Sequence, residues 1–343
     1  NLMQNKLFII SNESIFHSDN SFFCDNLDMK STPEGLKDKF DVNIIARSSK
    51  KERSHKINIE KIKIHRNILS FIFSIFKSFK ETNPKYIVIS ISPFTFFTCI
   101  ILALFKKKPI VYLRSDGYEE YRSILGFIGP IVYHLMFSVV SKISHLIGCN
   151  EKVLKGKKGN IVYPSQLTEK WFSNSNPADL DRIKLLYVGR IRVEKGIFSL
   201  LEIMKEIKEH ITLSVVGMEK HCNKKIEQKN VNIFQIETAE DKLISFYDKH
   251  NIFVLPSFTE GHPMALLESL ARLRPVIVFE EIKHVVGDKK GIFVSSRNQQ
   301  SFLENIHHIK KNYTKIQEDM KKNNLPSKHD FLKAFEESVL NLN

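Results

Sequence analysis

The chain has 343 residues, of which 42% are apolar and 26% carry a formal charge. This balance is typical of about two globular domains and excludes a disordered, collagen-like or disulfide-stapled chain. The 52 basic and 38 acidic side chains give a net charge of +14, which indicates an anionic partner: nucleic acid, an acidic membrane surface or a phosphorylated substrate.

Apolar runs with strand character alternate with helix-like segments through the first half of the chain. Such alternation predicts a parallel sheet that is covered by helices on both faces. The predicted strands are residues 6–11, 42–46, 86–90, 109–113, 145–149 and 160–163, and the helices between them include 32–40, 66–80 and 126–141.

Residues 86–105 carry no formal charge and are followed by three lysines, so this run is long enough to span a bilayer. Pro93 divides it, however, into a short strand-like part and a helix-like part. We therefore expect a buried strand and a buried helix here, and a transmembrane helix is the alternative.

The second half repeats the alternation and predicts a second parallel sheet. Its predicted strands are 184–188, 212–216, 232–235, 252–255, 275–279 and 291–294, and its helices are 196–209, 239–249, 263–271 and 301–312.

Two such blocks predict an α/β protein of two doubly wound, Rossmann-like domains. We place the domains at residues 1–168 and 169–327, because the polar stretch 173–177 has linker character. The last helix, within 328–343, is expected to pack back on the first domain. Ligands of open parallel sheets bind beyond the carboxyl ends of the strands, so we expect the two domains to face each other across a cleft that holds the active site.

Four cysteines stand far apart and show no CxxC or Cys/His metal spacing, which favours reduced thiols in the core of a cytosolic protein. No signal-peptide pattern is seen at the start of the sequence. The cysteines are Cys24, Cys99, Cys149 and Cys222.

The richest motif, Pro-Ser-Phe-Thr-Glu-Gly-His-Pro-Met-Ala-Leu-Leu-Glu at residues 256–268, directly follows a predicted strand. Gly261 lets backbone come close to a ligand, and Pro263 suits the first turn of a helix. The helix N-terminus offers free N–H groups and a positive dipole end to an anion. Glu260 and Glu268, eight positions apart, could both accept hydrogen bonds from sugar hydroxyls; alternatively they are a loop glutamate and a solvated helix glutamate.

A second motif, Val-Gly-Arg-Ile-Arg-Val-Glu-Lys-Gly at residues 188–196, lies between a predicted strand and a predicted helix. Gly189 ends the strand, and Arg190 and Lys195 place two cations on one loop. An arginine fork and a lysine point charge suit a diphosphate. The alternative is a basic surface turn.

Together these motifs resemble the nucleotide-binding domain of the family-4 retaining glycosyltransferases, which have the GT-B fold. The resemblance extends over about residues 185–294, and the order and spacing of its parts are more specific than either motif alone. Its parts are the Gly189-Arg190…Glu194-Lys195-Gly196 loop, Val215-Val216-Gly217, Leu255-Pro256-Ser257, Glu260 with Glu268, and Arg274-Pro275-Val276-Ile277.

The resemblance implies a role for each matching residue. Arg190 and Lys195 would hold the diphosphate of a nucleotide-sugar donor, with the loop backbone at Gly189 and Gly217 close by, and Glu268 would bind the ribose. Glu260 would contact the transferred sugar. The backbone of Gly261, His262, Pro263, Met264, Ala265 and Leu266 would frame sugar and phosphate, and Gln235 and Ile236 would meet the base.

Such enzymes use no metal, since the cations and the helix end stabilise the charge on the departing nucleoside diphosphate. We accordingly expect no metal and no cofactor, the nucleotide sugar being a substrate. Retention in this family is usually attributed to front-face attack, with the leaving phosphate taking the acceptor proton.

The first half resembles the family less. Many members have a Gly-Gly loop after the first strand, whereas residues 11–29 contain no glycine but hold Asn12, His17, Asp19, Asp25 and Asp28. These side chains could bind acceptor hydroxyls, with Asn12 and His17 as the named acceptor-side candidates, and a solvated loop is the alternative.

Many family members also place a histidine after the strand that corresponds to 109–113. Asp116 occupies that place here, two residues after Arg114. Asp116 is a candidate catalytic residue that would accept a hydrogen bond from the sugar, and Arg114 would orient it. The alternative is a structural ion pair at a strand end.

The positive charge is concentrated in the first half: residues 1–168 have a net charge of +11, and 47–85 alone hold 11 basic and 3 acidic residues. Within this stretch the predicted helix 66–80 is amphipathic. Its polar side is predicted to hold Asn67, Ser70, Ser74 and Lys77, and its apolar side Ile68, Leu69, Ile72, Phe73, Ile75, Phe76 and Phe79. It is either a crossover helix packed on the sheet or an interfacial helix drawn to anionic lipid. Residues 126–141, with Phe127, Tyr133, Met136 and Phe137, could join that face.

The leading hypothesis is therefore a retaining, metal-independent hexosyltransferase, peripherally associated with the cytoplasmic membrane face through residues 47–85. It would move a sugar from a nucleotide donor, expected to be a UDP-sugar, to a lipid or lipid-linked acceptor in glycolipid, lipopolysaccharide or other envelope polysaccharide synthesis. The alternative is a soluble glycosyltransferase acting on a free sugar or small metabolite. A nucleic-acid-binding protein is a remote alternative, because the basic stretch is aliphatic and phenylalanine-rich rather than a stacking platform, and we expect no nucleic-acid partner.

Overall fold

The computed structural model describes residues 5–173, 175–218 and 228–341. They divide into two compact units. The first comprises the residues up to Pro164 together with those from Lys328 onward, and the second is Ser165–Ser327. The boundary thus lies a few residues before residue 168, and the last helix is part of the first unit.

The first unit contains a mixed sheet whose central strands are all parallel. Its strands are β1 (Asn5–Ser18), β2 (Ser21–Cys24), β3 (Phe40–Ser48), β4 (His55–Ile57), β5 (Lys61–His65), β6 (Lys85–Ile89), β7 (Ile110–Leu113), β8 (His145–Gly148) and β9 (Asn160–Ile161). The parallel order is β5-β3-β1-β6-β7-β8-β9, and β2 pairs antiparallel with the end of β1 and with β4.

Helices cover both faces of this sheet, as alternating apolar runs require of a doubly buried parallel sheet. They are α1 (Leu27–Leu36), α2 (Ile68–Ser78), α3 (Pro93–Leu104), α4 (Gly117–Leu125), α5 (Gly129–Ile143), α6 (Glu151–Leu154) and the C-terminal helix Lys328–Leu340. Helices α2, α3 and α5 pack on one face, and α1 and the C-terminal helix pack on the other.

The uncharged run 86–105 is divided as expected, into β6 and α3. Ser92 caps α3 with a reciprocal capping box, and Pro93 occupies its first turn. The segment long and apolar enough to cross a membrane lies elsewhere among the described residues: Gly117–Ile143 meets the criterion by length and composition. It consists of α4, a short 3-10 helix (Gly126–Ile128) and α5.

The second unit has the strand order of a Rossmann fold. Its strands are β10 (Ile183–Val188), β11 (Ile211–Met218), β12 (Val231–Gln235), β13 (Ile252–Leu255), β14 (Val276–Phe279) and β15 (Ile292–Ser295). All are parallel, in the order β12-β11-β10-β13-β14-β15. The chain leaves β10 toward β11 on one side and later returns to β13 on the other, so the switch point lies between β10 and β13.

Helices and two 3-10 turns connect these strands. They are α7 (Glu169–Phe172), the turn Val193–Lys195, α8 (Ile197–Glu206), α9 (Glu240–Lys249), α10 (Met264–Ala271), the turn Glu280–Val285, α11 (Gln299–Lys311) and α12 (Tyr313–Met320). Two of the connections begin at the carboxyl ends of β10 and β13, where the two sequence motifs were found.

Cys24, Cys99 and Cys149 are buried free thiols, which agrees with the expected core cysteines. Burial raises the pKa of each of them. Cys222 lies outside the described residues.

Candidate active site

The two sequence motifs meet at the switch point of the second sheet. Lys195 follows β10 and Glu260 follows β13, and Lys195 Nζ donates to Glu260 Oε1 over 2.7 Å. Ser257 Oγ donates to the same carboxylate oxygen over 2.6 Å. The Glu260 side chain is only 10% exposed, so the Lys195–Glu260 ion pair is largely shielded from solvent. Residues 65 positions apart thus form one polar centre at the place where open α/β sheets bind ligands.

Close backbone contacts set the position of the two loops. Gly196 has φ +67°, and a Cβ at this position would lie 1.8 Å from the carbonyl oxygen of Pro256. Phe258 N donates to Glu194 O over 3.0 Å, which joins the same loops a second time. The contact requires glycine both for the left-handed backbone and for the space.

A second close approach lies at the carboxyl end of β11. A Cβ on Gly217 would lie 1.7 Å from the carbonyl oxygen of Gly189, and Gly189 N donates to Val216 O over 3.0 Å. The two predicted glycines therefore bring neighbouring strand ends into contact. Only a residue without a side chain fits at Gly217.

Helix α10 begins four residues after Glu260. Pro263 is its N-cap residue and makes no side-chain capping hydrogen bond. The first-turn N–H groups of α10 are therefore free to bind an anion, and the positive end of the helix dipole favours that binding. Residues 261–265 are at least partly exposed, whereas Leu266 belongs to the core.

Arg190 has an exposed side chain at the start of the loop that carries Lys195. Its carbonyl oxygen accepts a hydrogen bond from the Tyr187 hydroxyl over 2.9 Å, which holds the loop against the end of β10. Since Lys195 is already paired with Glu260, the Arg190 guanidinium supplies positive charge beyond that pair.

Glu268 lies on the second turn of α10 and is 8% exposed. Its Oε2 accepts a hydrogen bond from the Tyr247 hydroxyl over 2.7 Å, and that hydroxyl also lies 3.1 Å from Ala265 O. Burial raises the Glu268 pKa from 4.5 to about 7, although the Tyr247 hydrogen bond opposes this. One carboxylate oxygen is thus used within the protein, a partner that sequence reasoning did not identify.

Gln235 ends the edge strand β12 and has an exposed side chain. Ile236 N donates to Met218 O over 3.1 Å, so this segment continues along β11 beyond the strand end. Both residues lie at the carboxyl edge of the sheet, the edge to which the site belongs.

Three further residues hold the site together. Ser257 belongs to the motif at 256–268 but was assigned no role there, and no sequence motif includes His284 or Arg297. Ser257 binds Glu260 directly, as described above. His284 Nε2 lies 2.7 Å from the Glu260 carbonyl oxygen. The Arg297 guanidinium lies between the rings of Phe258 and Phe279, 4.2 and 4.4 Å from their centroids.

Arg297 also hydrogen-bonds to three other segments of the second unit. Its Nη1 donates to Pro256 O over 2.9 Å and to Ser199 Oγ over 2.7 Å, and its Nε donates to Glu281 Oε1 over 2.9 Å. The hydrogen bond from Arg297 lowers the pKa of Glu281. Arg297 therefore joins the start of α8, the end of β13 and the turn after β14.

Within the three described ranges of the chain, no group of three or more His, Cys, Asp or Glu side chains is close enough to hold a metal ion. An Asp-x-Asp sequence is present at residues 179–181, but it precedes β10. It therefore lies at the edge of the sheet away from Lys195. Asp179 accepts a hydrogen bond from Asp181 N over 3.0 Å and pairs with Lys184 over 3.5 Å.

On the first unit, Arg114 and Asp116 follow the carboxyl end of β7. Asp116 is the N-cap of α4, accepts a hydrogen bond from Tyr118 N over 3.0 Å, and forms an ion pair with Lys155. The Arg114 Nη1 atom lies 4.0 Å from Asp28, and both Nη1 and Nε are buried without a hydrogen-bond partner. Asp116 has the contacts of a structural residue. Arg114 has two guanidinium N–H donors, at Nε and Nη1, without a hydrogen-bond acceptor.

Residues 11–29 are not the loop that was expected. Strand β1 continues to Ser18, a tight turn at Asp19 and Asn20 follows, and β2 returns antiparallel. The sequence signal for this hairpin is a pair of short apolar runs, 15–16 and 22–24, on either side of the polar turn at Asp19 and Asn20. Asn12 accepts a hydrogen bond from Arg47 over 3.5 Å, and His17 lies against Phe22 with ring centroids 4.6 Å apart. Asp25 forms an ion pair with Arg53.

The chain is similar to known glycosyltransferases. Residues 169–325 match the family model described as Glycosyl transferases group 1. The chain is 27% identical over 313 residues to the capsular polysaccharide biosynthesis glycosyltransferase CapM of Staphylococcus aureus, covering 80% of this chain and 81% of that protein. It is 25% identical over 180 residues to TuaC of Bacillus subtilis (strain 168), which is named as a teichuronic acid biosynthesis glycosyltransferase. That match covers 49% of this chain but only 46% of that relative's length.

Among solved structures, the Anabaena protein HepE (Alr3699) in complex with UDP has a TM-score of 0.71 to this chain. The match covers 98% of this chain and 100% of the other at 9% identity, so it bears on the fold alone. The predicted α/β class with two Rossmann-like domains is confirmed. The second domain therefore matches the glycosyl transferases of group 1, and the chain has the two-domain GT-B fold.

Proposed function

We propose that this protein transfers a hexose from a nucleotide sugar, with a UDP-sugar as donor, and retains the anomeric configuration. The observation that carries the proposal is the Lys195–Glu260–Ser257 centre at the switch point, directly before the N-terminus of α10. The HepE structure contains UDP, which supports the choice of nucleotide for a chain of the same fold.

In the proposed reaction the donor diphosphate is held by Arg190, by Lys195 and by the first-turn N–H groups of α10. These groups stabilise the charge that develops on the departing nucleoside diphosphate, and no metal is needed for that purpose. Glu260 accepts hydrogen bonds from the transferred sugar. Glu268 uses its second carboxylate oxygen for the ribose, because Tyr247 occupies the first.

Lys195 has to serve both Glu260 and the diphosphate. At 2.7 Å the ammonium is hydrogen-bonded to the carboxylate, and its two other N–H groups are available for phosphate oxygens. An anion bound there would keep the Glu260 carboxylate oriented through Lys195. The pair thus connects the leaving group with the residue that contacts the sugar.

The acceptor is proposed to be a lipid or lipid-linked saccharide in surface polysaccharide, glycolipid or lipopolysaccharide synthesis, used at the cytoplasmic face of the membrane. The names of CapM and TuaC support a surface polysaccharide. The exposed Leu69, Phe73 and Phe76 on the basic stretch 47–85 support a membrane surface. A soluble enzyme acting on a free sugar remains the second candidate and differs in having no affinity for vesicles.

The test is nucleoside-diphosphate release by the purified protein over a panel of nucleotide sugars, with and without EDTA. Glu260→Ala, Arg190→Ala and Lys195→Ala should each lower turnover by about 10²-fold or more, the usual effect of removing one charge or donor from a transition state. EDTA should leave turnover intact. Wild-type turnover in all three variants would refute the site, and complete loss with EDTA would refute the metal-free mechanism.

A further inference from the structure

Helix α2 buries two serines together with Phe71 and Ile75. Ser74 and Ser78 are buried, where Ser74 Oγ lies 2.9 Å from His65 Nε2 and Ser78 Oγ lies 2.9 Å from the Tyr86 hydroxyl. The large apolar side chains of α2 that remain exposed are Leu69, Phe73 and Phe76, at 78%, 59% and 40%. The predicted polar face thus includes a buried residue, Ser74, and part of the predicted apolar face is on the surface.

Helix α3 repeats this arrangement. Thr95 and Thr98 are buried and donate to the carbonyl oxygens of Ser90 and Phe94, each over 2.8 Å. Exposed apolar side chains of α3 and its C-cap are Phe97, Leu104 and Phe105, at 45%, 74% and 53%. The Phe105 ring lies 5.5 Å from that of Phe76, so the exposed surfaces of α2 and α3 are continuous.

The α4–α5 hairpin adds the largest apolar surface. Tyr133, Met136 and Phe137 face the core, contrary to the expectation that they would join an exposed face. Exposed at 40–84% are Ile124, Leu125, Phe127, Ile128, Ile131, Leu135 and Val139. On α5 the last three recur every four residues and form one stripe, and Phe127 at the turn is 84% exposed.

These three helical elements hold 13 of the 21 large apolar side chains that are exposed within the described part of the chain. They lie on one face of the first sheet, since α2, α3 and α5 share one core cluster. A soluble monomer rarely exposes so large a contiguous apolar surface, because its hydration is unfavourable. Another apolar surface is therefore expected to cover it.

Cations flank this surface at the end of α3. A cavity of about 240 Å³ lies between the chain before β6 and the chain before β7, and four lysines line it: Lys85, Lys106, Lys107 and Lys108. Lys106 directly follows the exposed Phe105 in the chain. Lys77 adds a charge on α2, where its ammonium lies 4.6 Å from the centre of the Phe73 ring. Residues 66–108 have a net charge of +6.

We propose that α2, α3 and the α4–α5 hairpin form a bilayer-binding surface, and that the four-lysine cavity receives a phosphate group of anionic lipid headgroups. The apolar side chains enter the interfacial region, and the lysines stay at headgroup level. This surface specifies how the protein would contact the membrane, and its biological role rests on the proposed function at the membrane face. It also extends the predicted contact from the basic stretch 47–85, which contains α2, to α3 and the α4–α5 hairpin.

The test is flotation of the full chain with vesicles of neutral phosphatidylcholine or of phosphatidylcholine containing phosphatidylglycerol. Wild-type protein should bind the anionic vesicles and be released by salt. Replacing Lys106, Lys107 and Lys108 by Ser should weaken that binding about 10- to 100-fold. The matched control replaces the exposed Lys50, Lys51 and Lys56 by Ser, which removes the same charge from the same domain and should have a smaller effect.

The apolar part is tested with the double variant Phe127→Ser and Leu135→Ser, which should weaken binding about 10-fold or more. Its control is Phe172→Ser with Val294→Ser on the second domain, which should bind as wild type. Donor hydrolysis without lipid is measured throughout and should stay unchanged, so that loss of the membrane surface and loss of the active site are distinguishable.

Three outcomes would overturn the proposal. The first is no binding of wild-type protein to either vesicle. The second is equal weakening by the Lys50 set and the Lys106 set. The third is a wild-type dimer in gel filtration that Phe127→Ser with Leu135→Ser converts to a monomer, since a second copy would then cover the surface. Inorganic phosphate that competes with vesicles at millimolar concentration would support the cavity as a phosphate site.

Discussion

Substitution of Gly196 by Ala tests whether the loop contact at the switch point positions Lys195. Gly196 has φ +67°, and a Cβ there would lie 1.8 Å from Pro256 O. The matched control is Gly287→Ala in the same domain, where φ is +53° and the nearest atom is the end of the Lys289 side chain at 3.6 Å. Both variants carry the strain of a left-handed residue, but only the first carries the clash.

The strain of the left-handed conformation costs about 1–2 kcal/mol in both variants. That corresponds to a fall in melting temperature of about 2–8 °C for a domain of this size. The clash at Gly196 forces a further shift of about 1.5 Å, since ordinary carbon–oxygen contacts begin near 3.4 Å. Because Lys195 is the adjacent residue, its ammonium moves relative to Glu260, and an error of about 1 Å in a catalytic group costs about 10²-fold in turnover.

The assay combines thermal unfolding with nucleoside-diphosphate release from the preferred nucleotide sugar. Gly287→Ala should lose stability but retain turnover, whereas Gly196→Ala should lose more stability and about 10²-fold in turnover. Equal turnover in the two variants would show that the contact between Gly196 and Pro256 does not position the site, and the reasoning would then be refuted.

Two further substitutions test the supports of the site. Burial raises the Glu268 pKa from 4.5 to about 7, so the native state keeps a proton that the unfolded chain releases, and native stability falls as pH rises through this window. Relative to Glu268→Gln, the wild type should lose on the order of 3 kcal/mol between pH 4.5 and pH 8 in urea unfolding, and a pH-independent difference would contradict the buried carboxylate. Arg297→Lys keeps a cation but loses the guanidinium fork that joins Pro256, Ser199 and Glu281. Its turnover should fall at least about 10-fold, with a smaller change in melting temperature. Equal losses of turnover in Arg297→Lys and Arg297→Met would support a role for the fork. Full turnover in Arg297→Lys would exclude a positioning role.

Much of the fold follows from local patterns. The apolar runs in both halves predict most of the parallel strands, because a strand buried on both faces must be apolar throughout. Gly189, Lys195 and Glu260 could be placed at strand ends for the same reason. The hairpin of β1 and β2 was not predicted, since the many polar residues of 11–29 suggested a loop and its apolar runs, 15–16 and 22–24, are short.

The supports of the site could not be predicted from the sequence. Arg297 lies 37 positions after Glu260, and only the neighbouring positions of β13, β14 and β15 bring its guanidinium between Phe258 and Phe279. Likewise, Tyr247 hydrogen-bonds to Glu268 only because α9 and α10 are neighbours in the folded domain. Such contacts depend on which elements are neighbours in space, and no local spacing records that.

The sequence by itself determined that the chain would form two parallel α/β domains, and it located the donor-side motifs at strand ends. Only the tertiary structure decided which side of each first-domain helix faces outward. Helical periodicity identifies the apolar side of a helix, but it does not show whether that side packs against the core. Here His65 and Tyr86 satisfy the hydroxyls of Ser74 and Ser78 inside the domain, so both serines are buried beside Phe71, while Phe73 and Phe76 remain on the surface.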